Sequence, residues 1–373
     1  MKRIYITVSL LILSSCSTDK SPFNEVGVTE LEQFETLVSS DDNLVVNPTI
    51  VKFDNDDNLL VYDSRRGELL KLNKLSEVVG KYGNRGRGPG EFLRVNNVFH
   101  IEDYIYIIDD IGLKIHKFTV DGVYETSLEY KQKAGLTLPP LPPVPAPDLS
   151  FLDNLYAVNI NNQPIITDFD YVLLPAEQME NTVYKIADFE GNTIMDFGEI
   201  PEGSSFELDY NLFRTSISNR EVPNLLIHNV FPVKGGSGSG EIFMVYNAIP
   251  RIEKYDANGT KIWSKEIGDN PEIDAIKNAF FNTMQEILSI TDAVATFRAY
   301  TWGVSDKESN LYLATYNSPE LPLWIHEFDK NGDLNQRYKL VSEVELLPTF
   351  DIDFDNNLFI VITKESEIRT FQF

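Results

Sequence analysis

The sequence predicts an all-β fold built from repeated antiparallel sheets. Three observations carry that prediction. Apolar residues alternate with period two through many short segments separated by Asp, Asn and Gly turns, as in IVKFDNDDNLLVYD from Ile50 and VFHIEDYIYIID from Val98. A strand carrying an aromatic or other bulky residue and closing on a glycine turn recurs four times, as KIHKFTVDG, TVYKIADFEG, RIEKYDANG and WIHEFDKNG. The chain has 373 residues and is 42% hydrophobic, enough for a large core.

The N-terminus reads as an address. Lys2 and Arg3 form a positive start, and Ile4–Leu13 is an apolar run too short to span about 30 Å of hydrocarbon. Leu13-Ser14-Ser15-Cys16 follows and resembles a bacterial lipobox, in which the cysteine is lipidated and becomes the new N-terminus. Cys16 is the single cysteine, so no disulfide framework and no cysteine metal site is expected. The expected division is a signal peptide over 1–15, a polar tether over 16–30 and one folded unit over 31–373. The folded part is then exported and held at the cell envelope, at the outer membrane, by its lipid alone.

The repeats follow in order. The first has strands around Val51 and Phe53, Leu59 and Val61, Leu69–Leu72 and Glu77–Val79. Its first hairpin turns at Asp54-Asn55-Asp56-Asp57-Asn58. The second runs from about Phe92 to Tyr130, the third over about Leu149–Phe197, the fourth over Val222–Ile267 and the fifth over Tyr300–Leu340. The turn glycines Gly122, Gly191, Gly259 and Gly332 are 69, 68 and 73 residues apart. A four-stranded unit needs only about 40–50 residues, so each interval also carries an insertion. The last unit, Pro348–Phe373, shows three strands and then ends. Its open edge would be a liability, and the segment Leu31–Val38 is expected to supply the missing strand and close a ring of six.

The alternating hairpins, the D-x-x-G turns and the phrase Gly86-Arg87-Gly88-Pro89-Gly90-Glu91-Phe92 resemble NHL-type six-bladed β-propellers. In particular they resemble the lipid-anchored six-bladed propeller proteins common in gut-dwelling Gram-negative bacteria. The resemblance implies a fold and a compartment rather than an activity. The expected fold is a six-bladed β-propeller with one inserted helix and an N-terminal strand closing the last blade.

Four long connections, Gly80–Glu91, Lys131–Asp148, Gly198–Glu221 and Gly268–Arg298, would lie on one face, between the fourth strand of a blade and the first strand of the next. Long loops on a rigid scaffold are where binding usually resides. The first is Gly-rich but lacks the Gly-Lys-Ser/Thr of a phosphate loop, so it reads as a tight connection in which Glu91 and Phe92 seat the next blade. The second holds Pro139, Pro140, Pro142, Pro143, Pro145 and Pro147 and reads as a rigid strap. The third mixes aromatics with arginines. The fourth carries a helix over Pro271–Leu288, with Asp269 or Asn270 as cap and an apolar stripe of Ile273, Ile276, Phe280, Met284, Ile287 and Leu288. Candidate ligand contacts on this face are Arg94, Asn96, Tyr210, Arg214, Arg220, Arg298, Tyr300 and Trp302, because arginines beside aromatics hold carboxylates and sugars by forked hydrogen bonds and stacking.

A net charge of −25 argues against nucleic acid and against an anionic membrane surface as direct partners. The four histidines are isolated in sequence, and His116 and His326 occupy matching places in third strands, which points to a repeated structural role. Neither a catalytic set, a metal site nor a cofactor motif is legible. The favoured function is an envelope-anchored binding propeller for a glycan, a peptide or an envelope protein. Metal-assisted lactonase or lyase chemistry, and a scaffold subunit of an outer-membrane complex, are the alternatives.

Overall fold

In the computed structural model, the described residues are 26–373 apart from 40, 42–43, 131–164, 167–171, 176–181, 203–208, 225–227, 234–239, 250, 268–269, 292–293 and 319–320. The Cys16 motif, the tether up to residue 25 and the proline strap lie outside them.

Two N-terminal strands, β1 (Val28–Leu31) and β2 (Phe34–Val38), precede six sheets. Blade 1 is β3 (Pro48–Phe53), β4 (Leu59–Asp63), β5 (Glu68–Leu72) and β6 (Val78–Tyr82). A short parallel pair, β7 (Asn84–Arg85) and β8 (Glu91–Phe92), leads to blade 2: β9 (Val95–Ile101), β10 (Tyr104–Asp109), β11 (Lys114–Thr119) and β12 (Tyr124–Glu129). Blade 3 is β13 (Ile165–Ile166), β14 (Val172–Pro175), β15 (Thr182–Ala187) and β16 (Thr193–Glu199). Helix α1 (Tyr210–Asn219) precedes blade 4: β17 (His228–Pro232), β18 (Ile242–Tyr246), β19 (Arg251–Tyr255) and β20 (Lys261–Glu266). Helix α2 (Pro271–Ile290) precedes blade 5: β21 (Tyr300–Ser305), β22 (Leu311–Thr315), β23 (Leu323–Phe328) and β24 (Leu334–Leu340). Blade 6 contributes β25 (Leu346–Asp353), β26 (Leu358–Thr363) and β27 (Ile368–Gln372).

Consecutive strands within each blade, β25 to β27 in the last, are neighbours in a meander, and the apolar clusters show how the sheets become a ring. Along β4, Leu60 and Tyr62 face blade 2 while Leu59 and Val61 face blade 6. Along β10, Ile105 and Ile107 face blade 1, and Tyr106 and Ile108 face blade 3. β18, β22 and β26 divide their alternate residues in the same way, between blades 3 and 5, 4 and 6, and 5 and 1. Six seams result, one between each neighbouring pair, and the sixth joins blade 6 back to blade 1. A strand whose two faces both enter a core must be apolar throughout. That is why the second strands read LLVYD, YIYIID, IFMVY, LYLAT and LFIVIT, with few polar residues.

Closure comes from the leading segment. β2 pairs antiparallel with β27, Phe34 opposite Phe371 and Val38 opposite Ile368, and completes blade 6. The expectation of a closing strand within Leu31–Val38 therefore holds, with one addition. Leu31 belongs to β1, which pairs in parallel with β24 of blade 5, Val28 opposite Arg337 and Leu31 opposite Leu340. The N-terminal segment thus clasps two blades.

The Gly-rich connection is built as the residue types suggest. Phe92 is fully buried in the seam between blades 1 and 2, and the Glu91 carboxylate accepts the Gly88 amide at 2.7 Å. Gly83 has φ +58°, and a Cβ there would stand 2.4 Å from the Gly90 carbonyl oxygen and 2.5 Å from the Phe92 ring. Four of the hairpin turns share one device. Asp188 and Asp256 accept the amides of residues two and four further on, as do Asp54 and Asp329, and this ties each hairpin to its own carboxylate.

The helical content differs from the expectation of one helix. α2 forms as predicted, capped by Asn270, whose side chain accepts the Glu272 and Ile273 amides. It buries Phe281 rather than Phe280. The second helix, α1, starts at an Asp209 cap and ends at Arg220 in the left-handed region, φ 58°. Its sequence, YNLFRTSISN, is poor in strong helix formers, and only Phe213 and Ile217 are buried. They meet Phe281, Met284 and Ile287 of α2, so the helix exists by packing. Among the described residues no helix is long and apolar enough to cross a membrane.

Candidate functional site

In blades 1, 2, 4, 5 and 6 the C-terminal halves of the first strands, with the hairpin turns that follow, line a cavity of about 640 Å³. Each first strand is entered from the face that carries α1 and α2 and left at the opposite face. The cavity therefore opens on the hairpin-turn face, away from the long connections.

Its walls are aromatic. Phe53 of β3, Phe99 of β9, Phe231 of β17, Trp302 of β21 and Phe354 after β25 line it, each half-buried. The outer part of each ring packs into a seam, as Phe53, Phe231 and Trp302 do, so the rings are fixed by the core behind them. The indole Nε1–H of Trp302 donates to the Phe350 carbonyl of blade 6 at 2.9 Å. The Lys52 ammonium, from blade 1, lies 5.1 Å from the Trp302 ring centre and so reaches past blade 6 to blade 5.

Among the described residues the lining carries seven carboxylates, Asp54, Asp57, Glu102, Asp306, Glu308, Asp353 and Asp355, against Lys52, Lys307 and His100. Asp54 pairs with Lys71 at 2.6 Å and Asp57 with Lys74 at 2.9 Å. Desolvation works against ionisation of Asp54, but Lys71 and the turn amides outweigh it and hold the carboxyl below its usual range. Asp306 is buried too, and there desolvation wins: its carboxyl is pushed up despite the Asn310 hydrogen bonds. Burial pushes the His100 ring down. His100 Nδ1 accepts the Asn55 amide at 2.9 Å, which leaves the ring proton on Nε2, 3.0 Å from the Glu102 carbonyl. Among the described residues no three His, Cys, Asp or Glu side chains are grouped to hold a metal ion.

The eight residues singled out in the sequence fall on three parts of the ring. Arg94 makes a forked pair with Asp110 at 2.8 and 2.6 Å, which keeps its guanidinium strongly basic, and Asn96 is half-buried in β9. Tyr210 and Arg214 lie one turn apart on α1. Arg220 donates to Asn278 and Asn282 of α2 and stacks 5.3 Å from Phe281, so it ties the two helices together. Arg298 is half-buried at the entry to β21, where desolvation pushes its guanidinium down to about 10. Tyr300 is buried, with its hydroxyl 2.8 Å from His326 Nδ1. Of the eight, Trp302 alone lines the cavity. Lys52, Phe99, Phe231, Phe354 and the rim carboxylates were not singled out. Their signal is positional: they sit at the ends of first strands or in the turns that follow.

His116 and His326 do hold equivalent seam positions. His116 packs edge-on to Phe92, and His326 packs edge-on to Tyr300.

Residues 19–137 match a family model described as a 6-bladed beta-propeller, a stretch that holds β1, β2 and the first two blades. Among solved structures, a candidate exported protein of Bacteroides fragilis NCTC 9343 is 14% identical, with a TM-score of 0.51 over 92% of this chain and 98% of that one. A virginiamycin B lyase from Staphylococcus aureus is 11% identical, with a TM-score of 0.47 over 91% of this chain and 98% of that one. A gluconolactonase from Xanthomonas campestris is 8% identical, with a TM-score of 0.47 over 91% and 89%. No curated protein matches. The likeness to the first is one of fold, and no correspondence of residues follows from the other two.

Proposed function

We propose that this six-bladed β-propeller is an extracytoplasmic binding protein, held at the cell envelope by a lipidated Cys16, which takes its ligand in the axial cavity. The cavity is the observation that carries the reading. It is concave, of about 640 Å³, and walled by rings from five blades that the seams hold rigid. Ligand sites commonly combine such apolar walls with a few polar groups. A glycan or a peptide fits those walls, with Trp302 as the stacking platform. An envelope protein would enter through an extended segment. The reading requires no reaction.

A glycan and peptide array tests it. Trp302→Ala is expected to remove binding of the ligand the array reveals, while Arg214→Ala on α1 leaves it intact. The opposite pattern would move the site to the connection face. Support for that second reading is the exposure of Leu212 at 67% and Ile290 at 59% on the two helices. Anchoring is tested separately. Cys16→Ser is expected to abolish incorporation of a clickable fatty acid and to release the protein from the membrane fraction.

A further inference from the structure

We infer that the axial cavity takes a ligand bearing an organic cation, seated against Trp302, and that Lys52 is the protein's own competitor for that seat. The inference rests on the reading of the cavity as the ligand site and names the chemistry of its occupant. An aromatic face attracts a cation within about 6 Å of its centre. The Trp302 indole is pinned by its hydrogen bond to Phe350, and the Lys52 ammonium lies over its ring, 5.1 Å from the centre. The protein thus displays in itself the contact that a ligand ammonium would make.

The charges around that seat select the same sign. Asp54 and Asp57 are matched by lysines outside the lining. Glu102, Asp306, Glu308, Asp353 and Asp355 remain against Lys52 and Lys307. Several of them are fixed by their turns, as Asp353 is by the Asn356 amide and side chain at 2.9 and 2.6 Å. A walled mouth with an excess of one sign focuses the field on its axis. Desolvation already disfavours the charged form of Asp306, a cost that an entering cation relieves. The volume of about 640 Å³ exceeds that of a single ammonium head, so the cation is one end of a larger molecule.

Calorimetry on the intact, detergent-solubilised protein tests this with two probes of equal shape, choline and its uncharged isostere 3,3-dimethylbutan-1-ol. Choline is expected to bind about tenfold more tightly than the isostere, within the range of cation–π contributions. That margin should shrink in a Glu308→Gln/Asp355→Asn variant and at raised salt. Lys52→Gln should tighten choline binding about threefold by vacating the indole face. Trp302→Phe, which keeps a ring in the seam, should weaken it. Equal binding of the two probes, no binding of choline, or weaker choline binding in Lys52→Gln overturns the inference. If an array then yields a neutral or anionic ligand that Trp302→Ala abolishes, the cavity reading stands without its cation. If array ligands bind Trp302→Ala and Glu308→Gln/Asp355→Asn like the parent, the cavity reading falls as well.

Discussion

His228 and His326 show what burial does to single residues here. Both are fully buried; desolvation pushes His228 down to about 4, and desolvation with the nearby Arg337 charge pushes His326 to about 3. An unfolded histidine titrates near 6.5, so between that value and the folded values the unfolded chain binds the extra protons. Stability must therefore fall as pH falls below about 6.5, by up to about 1.4 kcal/mol per pH unit for each ring. The fall ends near pH 4 for His228 and near pH 3 for His326. Urea unfolding between pH 7 and 4.5 measures this slope, and His228→Phe is expected to reduce it. Gly83 gives a second residue-scale prediction. A Cβ there meets a backbone carbonyl and the Phe92 ring at positive φ, whereas at Gly191, with φ +85°, it meets only Leu128 at 3.5 Å. Gly83→Ala should cost about 1–3 kcal/mol and Gly191→Ala about 1 kcal/mol in denaturant midpoint comparisons.

At the scale of elements, the ring is fastened by a segment far from it in sequence. Removing residues through Leu31 deletes β1 but leaves six complete four-stranded blades. The expected result is a folded protein with a lowered melting temperature, because Leu31 leaves the seam between blades 5 and 6 and the Lys339–Glu30 pair is lost. Removing residues through Val38 also strips blade 6 of its outer strand and exposes the edge of β27, so aggregation is expected in light scattering. α1 buries only Phe213 and Ile217. Asp209→Ala removes acceptors of two amides and should cost about 1 kcal/mol, visible as faster hydrogen exchange over 210–219 before the rest of the chain. The sequence announced the β-elements and α2 because their periodicities are long and regular. It did not announce α1, whose two buried side chains acquire meaning only when Met284 and Ile287 stand opposite them.

For the whole molecule, six seams and one axis decide which side chains meet. The strand alternation, the glycine turns and the open edge of the last unit made the six-bladed ring legible, because a period of two and an unpaired edge are local facts with one consequence for packing. The same local reading expects ligand contacts on the connection face, where insertions are long. The ring also gathers Lys52, Phe99, Phe231, Trp302 and Phe354 into one cavity at the other face, from segments as many as 302 residues apart in the sequence. The sequence by itself determined the blades and their order, since each depends on hydrogen bonds and apolar faces that a short segment carries within it, and the open edge of the last unit pointed to their closure by β2. Only the tertiary structure decided the cavity. Which side chains share a volume at the axis depends on how far each first strand runs before its hairpin turns, and that length becomes a shared space only after all six blades have been brought around to meet.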